Sequence, residues 1–459
     1  MNHKRRGLHG IWKGRWTFIL AATGSAVGLG NIWKFPYITG ENGGGAFVLV
    51  YLLCILLVGI PVMMAEIMLG RDGRMSPINT MKSLVHKYNA PKWFGGLGWM
   101  GAITGFLILS FYSVIAGWTL IYVLKMLTGS FAGSSPELVT SAFSDLLADP
   151  VTQFAGHSVF MVMTGVVLAL GVHKGLENSV RFLMPALFIM LIGLFGYALT
   201  TPGFAQGWDF LFKFDFSKLS TASVLTALGH AFFTLSLGMG AIMAYGAYMP
   251  EKASIGKTVL AVGILDTLVA LAAGLIIFPV VFSYGLEPAS GPGLLFNTMP
   301  IALLSLPGGQ MFGFVFFTLV VIAAWTSAIS IAEPAIAWVV DSGLSRKAAS
   351  FMVCGLAWVL GIGTILSFNE WADIKFFAGT IFENIDYLTA NLLMPLGGVF
   401  IAIFVGWIMS QTAVAKEIRI KQPVLFSLWL LVLRFISPLA ILVIFADQLG
   451  LLNSLKALF

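Results

Sequence analysis

The first apolar run of the chain contains, about half-way along it, the segment Ala21-Ala22-Thr23-Gly24-Ser25-Ala26-Val27-Gly28-Leu29-Gly30-Asn31. A glycine inside a helix costs about 1 kcal/mol relative to alanine, so three glycines in such a short stretch favour an unwound backbone. Close helix packing is the alternative, because Gly24 and Gly28 also form a small-xxx-small pair. A second cluster, Phe233-Thr234-Leu235-Ser236-Leu237-Gly238-Met239-Gly240, lies in the sixth apolar run.

The composition excludes most classes of soluble protein. The chain has 459 residues, of which 58% are hydrophobic and 10% are charged. Soluble domains carry about 25% charged residues, and a single soluble core stops growing near about 250–300 residues. A chain this long and apolar must have lipid as its solvent, which excludes a soluble enzyme, a nucleic-acid-binding protein and a secreted disulfide scaffold. Its two cysteines, Cys54 and Cys354, are interpreted as small buried hydrophobic residues.

Eleven apolar runs are long enough for membrane helices, which need about 20 mostly apolar residues. The runs are apolar all round rather than alternating, so they predict helices and not β-barrel strands. They lie near 12–40, 46–70, 96–126, 157–173, 180–201, 223–249, 257–284, 310–340, 347–367, 381–409 and 422–451. The connections are short, so the sequence predicts an all-α membrane protein with a single transmembrane domain over 1–459.

The distribution of charge predicts the orientation of these spans. With the amino terminus in the cytoplasm, most of the 26 Lys and Arg residues fall on the cytoplasmic side, as the positive-inside rule requires. Most loop acids fall on the other side, and the carboxy terminus is expected outside. The net charge of +6 therefore reflects topology, and no nucleic-acid partner is expected.

The two glycine-rich clusters occupy runs one and six, which would be corresponding members of a five-plus-five repeat. The repeat is inferred from this placement, since the two halves show no direct sequence identity. Paired interruptions at matching positions are the best sequence indication of a transporter's central site. Unwound backbone would offer carbonyls to a hard cation and amides to an anion, which suits a carboxylate ligand beside a metal ion. The repeats are expected over about 12–201 and 223–409, with an additional helix over about 422–451.

Ionisable groups inside membrane spans are expensive and are candidates for function. Asp266 lies deep in run seven with no base nearby in sequence, so it needs a cation, a proton or a distant partner. Glu66 and Glu333 lie nearer the cytoplasmic ends, where structural networks are expected. Thr326 and Ser327 could bind a cation, but alone they favour bonding back to their own helix. No catalytic cluster is found, so the chain is not expected to be an enzyme.

At this point the motifs indicate a family. The segment Gly24–Tyr37, followed by Glu41-Asn42-Gly43-Gly44-Gly45-Ala46-Phe47, resembles the first-helix signature of the neurotransmitter:sodium symporters. The segments Gly59–Arg71 and Phe232–Gly238 resemble the second and sixth helices of that family. The resemblance implies a LeuT-type fold with an inverted repeat and discontinuous helices 1 and 6. It also implies sodium-driven import of an amino acid by alternating access.

The resemblance further implies two sodium sites built from oxygen ligands, which suit a hard cation. The first would use the Ala26 carbonyl and the side chains of Asn31, Thr234 and Asp266. The second would use the carbonyls of Gly24, Val27 and Ala323 with the hydroxyls of Thr326 and Ser327. Sodium, with two ions expected, is thus the only inorganic ligand predicted.

The substrate would lie between helices 1 and 6 of the implied fold. Its carboxylate would meet the amides of Leu29 and Gly30 and the hydroxyl of Tyr112. Its ammonium would meet the carbonyls of Ala26, Phe233 and Thr234. Its side chain would lie among Ile108, Phe233, Ser236, Met239, Ser327, Ser330 and Ile331. Because this lining is mostly apolar and uncharged, a neutral hydrophobic or aromatic L-amino acid is expected.

The implied gates depart from the family pattern. Lys34 stands where an arginine is usual at the outer gate, and it lacks the bidentate fork of arginine. Its partner would be Asp386 or Glu383. At the inner gate Asp341 and Tyr248 match, whereas the usual amino-terminal arginine position falls near His9, with Arg6 as an alternative.

Asp266 also departs from the family, which often has asparagine at this position. A fixed negative charge beside the first sodium site should make chloride unnecessary. A proton-coupled carrier, with Asp266 as the proton shuttle, and an ion channel are the alternative functions. Short loops and few cysteines favour a bacterial inner membrane, where the expected partners are the amino acid, sodium and lipid; the oligomeric state is left open.

Overall fold

The computed structural model describes residues 12, 14–131, 133–286, 291, 293–377 and 379–448. These residues are helical with short connections, and their one strand-like pairing is a bridge between Phe376 and Gly379. Apolar side chains from helices along the whole described chain form one core. The prediction of an all-helical protein is therefore confirmed.

Nine helices within the described ranges are long and apolar enough to cross a membrane. Their bounds are Gly45–Gly73, Lys92–Leu127, Pro150–Ala169, Val172–Leu199, Ile255–Ser283, Gly309–Asp341, Arg346–Leu366, Ile381–Ile408 and Pro423–Val443. At 1.5 Å per residue, a helix of about 20 residues covers the hydrocarbon thickness of about 30 Å. These nine helices correspond to runs two to five and seven to eleven of the sequence.

The first apolar run contains shorter helices. The helix Arg15–Ala26 ends at Ala26, and a π-helical turn, Gly30–Lys34, leads into the helix Phe35–Glu41. Residues 27 and 28 lie outside these helices, so we call them the first break. The break lies within the glycine-rich segment 21–31.

The sixth apolar run also contains two helices, Thr221–Thr234 and Ala241–Tyr248. We call the connecting residues 235–240 the second break. Within it Ser236, Gly238 and Gly240 have φ angles of 54°, 75° and 77°. Glycine adopts this left-handed conformation freely, whereas serine is strained there by about 1–3 kcal/mol. The strain at Ser236 therefore needs support from neighbouring groups.

Two contacts hold the second break in place. The Ser236 hydroxyl donates a 2.8 Å hydrogen bond to the Ser25 carbonyl, which joins the second break to the end of the first helix. The Gly238 amide donates a 3.1 Å bond to Glu66 Oε2 from helix Gly45–Gly73. Glu66 therefore belongs to a structural network, as the sequence analysis expected.

Shorter helices fill the connections between the long ones. They are Pro77–Lys87, Pro136–Ala148, Phe204–Phe212, Leu294–Leu304 and Gln411–Ile418, with a 3-10 turn at Phe216–Lys218. The helix Pro136–Ala148 packs on the bundle through Phe143, whose ring lies 5.0 Å from the Phe296 ring. The connections are thus packed parts of one helical body.

Candidate functional site

Three polar side chains meet beside the two breaks. The Asn31 amide nitrogen donates to Asp266 Oδ1 at 2.7 Å and to the Asp266 carbonyl at 3.1 Å. The Thr234 hydroxyl lies 3.1 and 3.2 Å from the two carboxylate oxygens of Asp266. All three residues are buried. The three residues come from apolar runs one, six and seven and were predicted for the first sodium site. The structure places their side chains in one cluster.

This cluster has the chemistry of a site for a hard cation. It contains carboxylate, hydroxyl and amide oxygens, which are the ligands that such ions prefer. Ala26 lies at the end of its helix, where the last carbonyls lack intrahelical donors. No group of three His, Cys, Asp or Glu residues that could hold a metal occurs in the described ranges. An alkali ion therefore fits this cluster better than a transition metal does.

A second group of oxygens lies between the first helix and helix Gly309–Asp341. The Ser327 hydroxyl lies 3.3 Å from the Gly24 carbonyl and 3.1 Å from the Val27 carbonyl. The neighbouring Thr326 hydroxyl bonds to the Ala323 carbonyl at 3.1 Å. All five residues predicted for the second sodium site are therefore grouped together. Thr326 also bonds to the Ile322 carbonyl, so both of its hydrogen bonds run back to its own helix, and a role in binding a cation stays a prediction.

A narrow cavity separates the two breaks. Its lining residues are Ser25, Ala26, Gly28, Leu29, Gly30, Ile108, Tyr112, Phe233, Thr234, Ser236, Met239, Ser327 and Ile331. Only about 20 Å³ is open to the centre of a water molecule, which is room for about one water. An amino acid would need these walls to move apart.

The polar end of the cavity has groups suited to a carboxylate. The Leu29 amide donates a 3.2 Å hydrogen bond to the Tyr112 hydroxyl, and both groups lie where the helical segment after the first break begins. Amides at a helix start favour an anion. The absence of a side chain at Gly28 lets the Ser327 and Tyr112 hydroxyls lie close to the backbone of the first break. A Cβ at Gly28 would lie 2.5 Å from Ser327 Oγ and 2.8 Å from Tyr112 Oη.

The serines near the cavity differ in whether they line it and in what their hydroxyls contact. Ser236 lines the cavity while its hydroxyl holds the Ser25 carbonyl. Ser330 was predicted as a lining residue, but its hydroxyl donates back to the Ser327 carbonyl at 2.7 Å, and it is absent from the described lining. Ser25 and Gly28 line the cavity but were not predicted for the substrate site, although both lie in the glycine-rich segment 21–31.

A second cavity shares lining residues with the first and lies at what we call the Lys34 end of the bundle. Lys34, Asp386, Tyr112 and Phe233 are among its lining residues. The Lys34 ammonium lies 4.6 Å from the centre of the Phe233 ring, a distance typical of a cation–π contact. Glu383 instead bonds to the backbone of Thr380 in a capping box. Asp386 therefore shares a cavity with Lys34, whereas Glu383 stabilises a helix start.

A buried ionic network lies at the opposite end of the bundle, which we call the Arg346 end. The sequence predicted only part of it. The Tyr248 hydroxyl donates a 2.6 Å hydrogen bond to Glu333 Oε1. Arg346 pairs with both carboxylate oxygens of Glu333 and also donates to the Leu168 carbonyl. The prediction of a network around Glu333 is confirmed, but Arg346 was not predicted as its partner.

Asp341, the other residue predicted for the inner gate, lies among polar groups at the same end. Asp341 Oδ2 accepts hydrogen bonds from the Ser76 amide at 2.9 Å and the Asn79 side chain at 3.0 Å. The predicted partners His9 and Arg6 lie outside the described residues. Tyr248 is also linked to the start of the described chain, since its carbonyl accepts a bond from the Trp12 amide at 3.1 Å.

Comparison with known proteins agrees with this geometry. The family model of the sodium:neurotransmitter symporter family matches residues 9–142 and 152–457. The uncharacterised sodium-dependent transporter YhdH of Bacillus subtilis is 38% identical over 96% of this chain and 98% of its own. An uncharacterised sodium-dependent transporter of Haemophilus influenzae is 34% identical over 98% of this chain and 99% of its own.

A solved structure is also similar. The crystal structure of MhsT in complex with L-phenylalanine has a TM-score of 0.89 and 41% sequence identity. The match covers 95% of this chain and 99% of that one. The likeness therefore extends over nearly the whole helical bundle.

Proposed function

Because the chain belongs to the sodium:neurotransmitter symporter family of membrane transporters, we propose that it imports a neutral hydrophobic or aromatic L-amino acid together with sodium. The observation that carries this proposal is the adjacency of the Asn31–Thr234–Asp266 cluster and the apolar cavity. Thr234 belongs to both, so a cation and an amino acid would be neighbours. Such adjacency makes each ligand favour the binding of the other, which is the basis of coupling.

We propose that the chain forms one transporter domain with eleven membrane spans. Runs one and six are discontinuous spans, and the five-plus-five repeat covers about 12–201 and 223–409. Support comes from the two breaks, which leave helices too short to be counted among the nine long ones. The amino terminus would lie in the cytoplasm, the run near 422–451 would lead outward, and the membrane would be the bacterial inner membrane.

Two sodium ions are proposed, one in each oxygen-rich group. The first would bind the Ala26 carbonyl, Asn31, Thr234 and Asp266. The second would bind the carbonyls of Gly24, Val27 and Ala323 and the hydroxyls of Thr326 and Ser327. Residues on both sides of the first break contribute to these groups, so ion binding would hold the break in one conformation.

The cavity supports the choice of substrate. Ile108, Phe233, Met239 and Ile331 give it apolar walls, and methionine adapts its shape to different side chains. No charged side chain is among the described lining residues. The structural neighbour MhsT was solved with L-phenylalanine. We therefore place phenylalanine, tryptophan and leucine first among the candidate substrates, with their carboxylates at the Leu29 and Gly30 amides and Tyr112.

Alternating access would open the cavity to one end at a time. At the Lys34 end, Lys34 and Asp386 would close over the substrate. At the Arg346 end, Tyr248 and Asp341 would form the inner gate. The ionic network of Glu333 and Arg346 lies beside Tyr248, so opening this end would require buried ion contacts to separate.

Chloride independence is proposed from Asp266. Its carboxylate would supply, within the protein, the negative charge that balances sodium. The same carboxylate is the basis of the alternative, a proton-coupled carrier. The two functions differ in whether sodium is required.

The experiment is uptake by purified protein in liposomes. Labelled phenylalanine, leucine and tryptophan would be tested with an inward sodium gradient, with choline in place of sodium, and with gluconate in place of chloride. We expect uptake to need sodium and to persist in gluconate. Uptake in choline driven by a pH gradient would indicate proton coupling instead. Stronger competition by glutamate or lysine than by leucine or tryptophan would contradict the proposed substrate class.

A further inference from the structure

An exposed apolar tip lies between helices Arg346–Leu366 and Ile381–Ile408. We call residues 371–377 the aromatic tip. Its side chains Trp371, Ile374, Phe376 and Phe377 are 38%, 50%, 47% and 102% exposed. Single exposed hydrophobic residues are ordinary on a protein surface, but a contiguous group usually marks a surface that another body covers.

The loop that carries the tip is braced rather than loose. The side-chain nitrogen of Asn384 donates hydrogen bonds to the carbonyls of Phe376 and Gly379, at 2.7 Å each, and to the carbonyl of Thr380 at 2.8 Å. Phe376 and Gly379 also exchange backbone hydrogen bonds of 2.9 and 3.0 Å. These bonds hold a tight turn in which Phe377 is the most exposed of the four apolar side chains.

The backbone at this turn is strained. Phe377 has a φ of 45°, in the left-handed region that a bulky residue rarely adopts. Strain of this kind persists only where surrounding structure enforces it. Here the enforced conformation exposes a phenylalanine side chain completely, which is unfavourable if the surrounding solvent is water alone.

The position of the tip indicates what covers it. Helix Arg346–Leu366 is apolar enough to cross a membrane, and Phe351, Leu356 and Val359 are exposed along it, so this face meets lipid. The tip begins at Trp371, shortly after that helix ends at Leu366. Phe382, which comes just after the tip, lines the cavity with Lys34, so the tip lies at the Lys34 end.

The composition of the tip matches a membrane interface. Tryptophan is enriched at that interface, where an amphipathic ring meets both headgroups and hydrocarbon. Lys375 lies between Ile374 and Phe376 and is exposed, and a lysine can extend its charge to the headgroups from an apolar surrounding. Glu370 and Asp373 are exposed beside them, so the tip joins apolar rings to charges of both signs.

We propose that the aromatic tip inserts into the lipid interface at the Lys34 end of the bundle, with Phe376 and Phe377 among the acyl chains. The occupant of this surface is thus the bilayer, and the tip anchors the start of helix Ile381–Ile408. Asn384 braces the tip and lies two residues before Asp386. The anchor and the gate residue Asp386 therefore belong to the same turns of one helix.

The test places a fluorescent probe at the tip. Cys54 and Cys354 are replaced by alanine, Phe377→Cys is introduced, and the thiol is labelled with an environment-sensitive dye. A matched control carries Glu137→Cys, an exposed polar position on helix Pro136–Ala148. Both proteins are reconstituted in phosphatidylethanolamine and phosphatidylglycerol vesicles, with and without lipids that carry a spin label near the carbonyl region.

We expect at least a twofold loss of fluorescence at position 377 with spin-labelled lipid, and weak quenching by aqueous iodide. The control should show the opposite pattern. Strong iodide quenching at position 377 would mean that the tip faces water and would overturn the proposal. Protection from both quenchers would mean that protein covers the tip, either a second copy or the chain itself, and would overturn it equally.

Discussion

The side-chain amide of Asn31 donates a 2.7 Å hydrogen bond to Asp266 Oδ1, although the two residues lie 235 positions apart. Both are buried. The bond connects the π-helical turn after the first break to helix Ile255–Ser283. The side-chain oxygen of Asn31 also accepts a 3.0 Å hydrogen bond from the Gly28 amide, within the break. A change at either residue should therefore affect ion binding and the orientation of the break together.

Asp266→Asn removes the charge but keeps the shape of the side chain. We expect the sodium concentration for half-maximal phenylalanine binding to rise about tenfold or more, since interactions with a charged group contribute about 1.5–3 kcal/mol. Sodium titrations in chloride and in gluconate measure the effect. We also expect the variant to need chloride. Asp209→Asn, on the exposed face of helix Phe204–Phe212, serves as the control. An unchanged sodium requirement would remove Asp266 from the first site.

Thr326→Val tests the second sodium site. Valine keeps the branched shape but removes the hydroxyl that lies beside the Ala323 carbonyl. We expect the Hill coefficient for sodium to fall from about 2 to about 1, because one of two cooperating ions is lost. Thr318→Val is the matched control, since Thr318 bonds back to Phe314 on the same helix. Equal behaviour of the two variants would argue that Thr326 has only a helical role.

Gly28→Ala tests the space at the first break. The added Cβ would clash with Ser327 Oγ and Tyr112 Oη, so we expect phenylalanine binding to be lost while the protein still purifies as a folded species. Gly229→Ala is the control, because a Cβ at Gly229 meets no atom within 4 Å. Equilibrium binding of phenylalanine and thermal unfolding, measured together, separate a loss of binding from a loss of folding. Normal binding by Gly28→Ala would show that the approach of these groups is not needed.

Glu333→Gln tests the network at the Arg346 end. Removing one partner of a buried ion pair leaves the other charge uncompensated, which costs about 3–5 kcal/mol. We expect a clear fall in the temperature of thermal unfolding, and a smaller additional loss when Arg346→Gln is combined with it. Glu137→Gln controls for loss of an exposed carboxylate. Additive losses would show that Glu333 and Arg346 contribute independently.

Asp386→Asn and Glu383→Gln separate the two candidate partners of Lys34. Asp386 shares the cavity with Lys34, so we expect Asp386→Asn to speed the dissociation of bound amino acid several-fold. Glu383 caps the start of a short helix, and a glutamine oxygen can keep that cap, so Glu383→Gln should leave both thermal stability and dissociation nearly unchanged. Dissociation of labelled phenylalanine, measured by dilution, distinguishes them. The reverse pattern would assign the gate to Glu383.

Much of the site could be predicted because its residues lie in short motifs. Asn31 and Thr234 belong to the two glycine-rich segments, and Asp266 is conspicuous as a charge within an apolar run. Family membership, predicted from the same motifs, is confirmed by the family model and by relatives of 38% and 34% identity.

Features that depend on packing were harder to predict. Arg346 begins the helix after the one that carries Glu333, and no sequence periodicity indicates that the two side chains meet. A serine hydroxyl in a membrane helix can face a cavity or bond back to its helix. Ser330 bonds back and Ser236 reaches across to Ser25, and only the placement of neighbouring helices decides between these outcomes.

The hydroxyl of Ser327 touches the carbonyls of Gly24, Ser25 and Val27 at once. A hydroxyl has a hydrogen to give and lone pairs to offer, so one rotation exchanges a donor for a ligand. Ser327, on helix Gly309–Asp341, can thus cap the carbonyls beside the first break. After releasing its ligands, the transporter could return without leaving these backbone carbonyls unpaired in the middle of the bilayer. The free energy of the ligand-free conformations would therefore be lower.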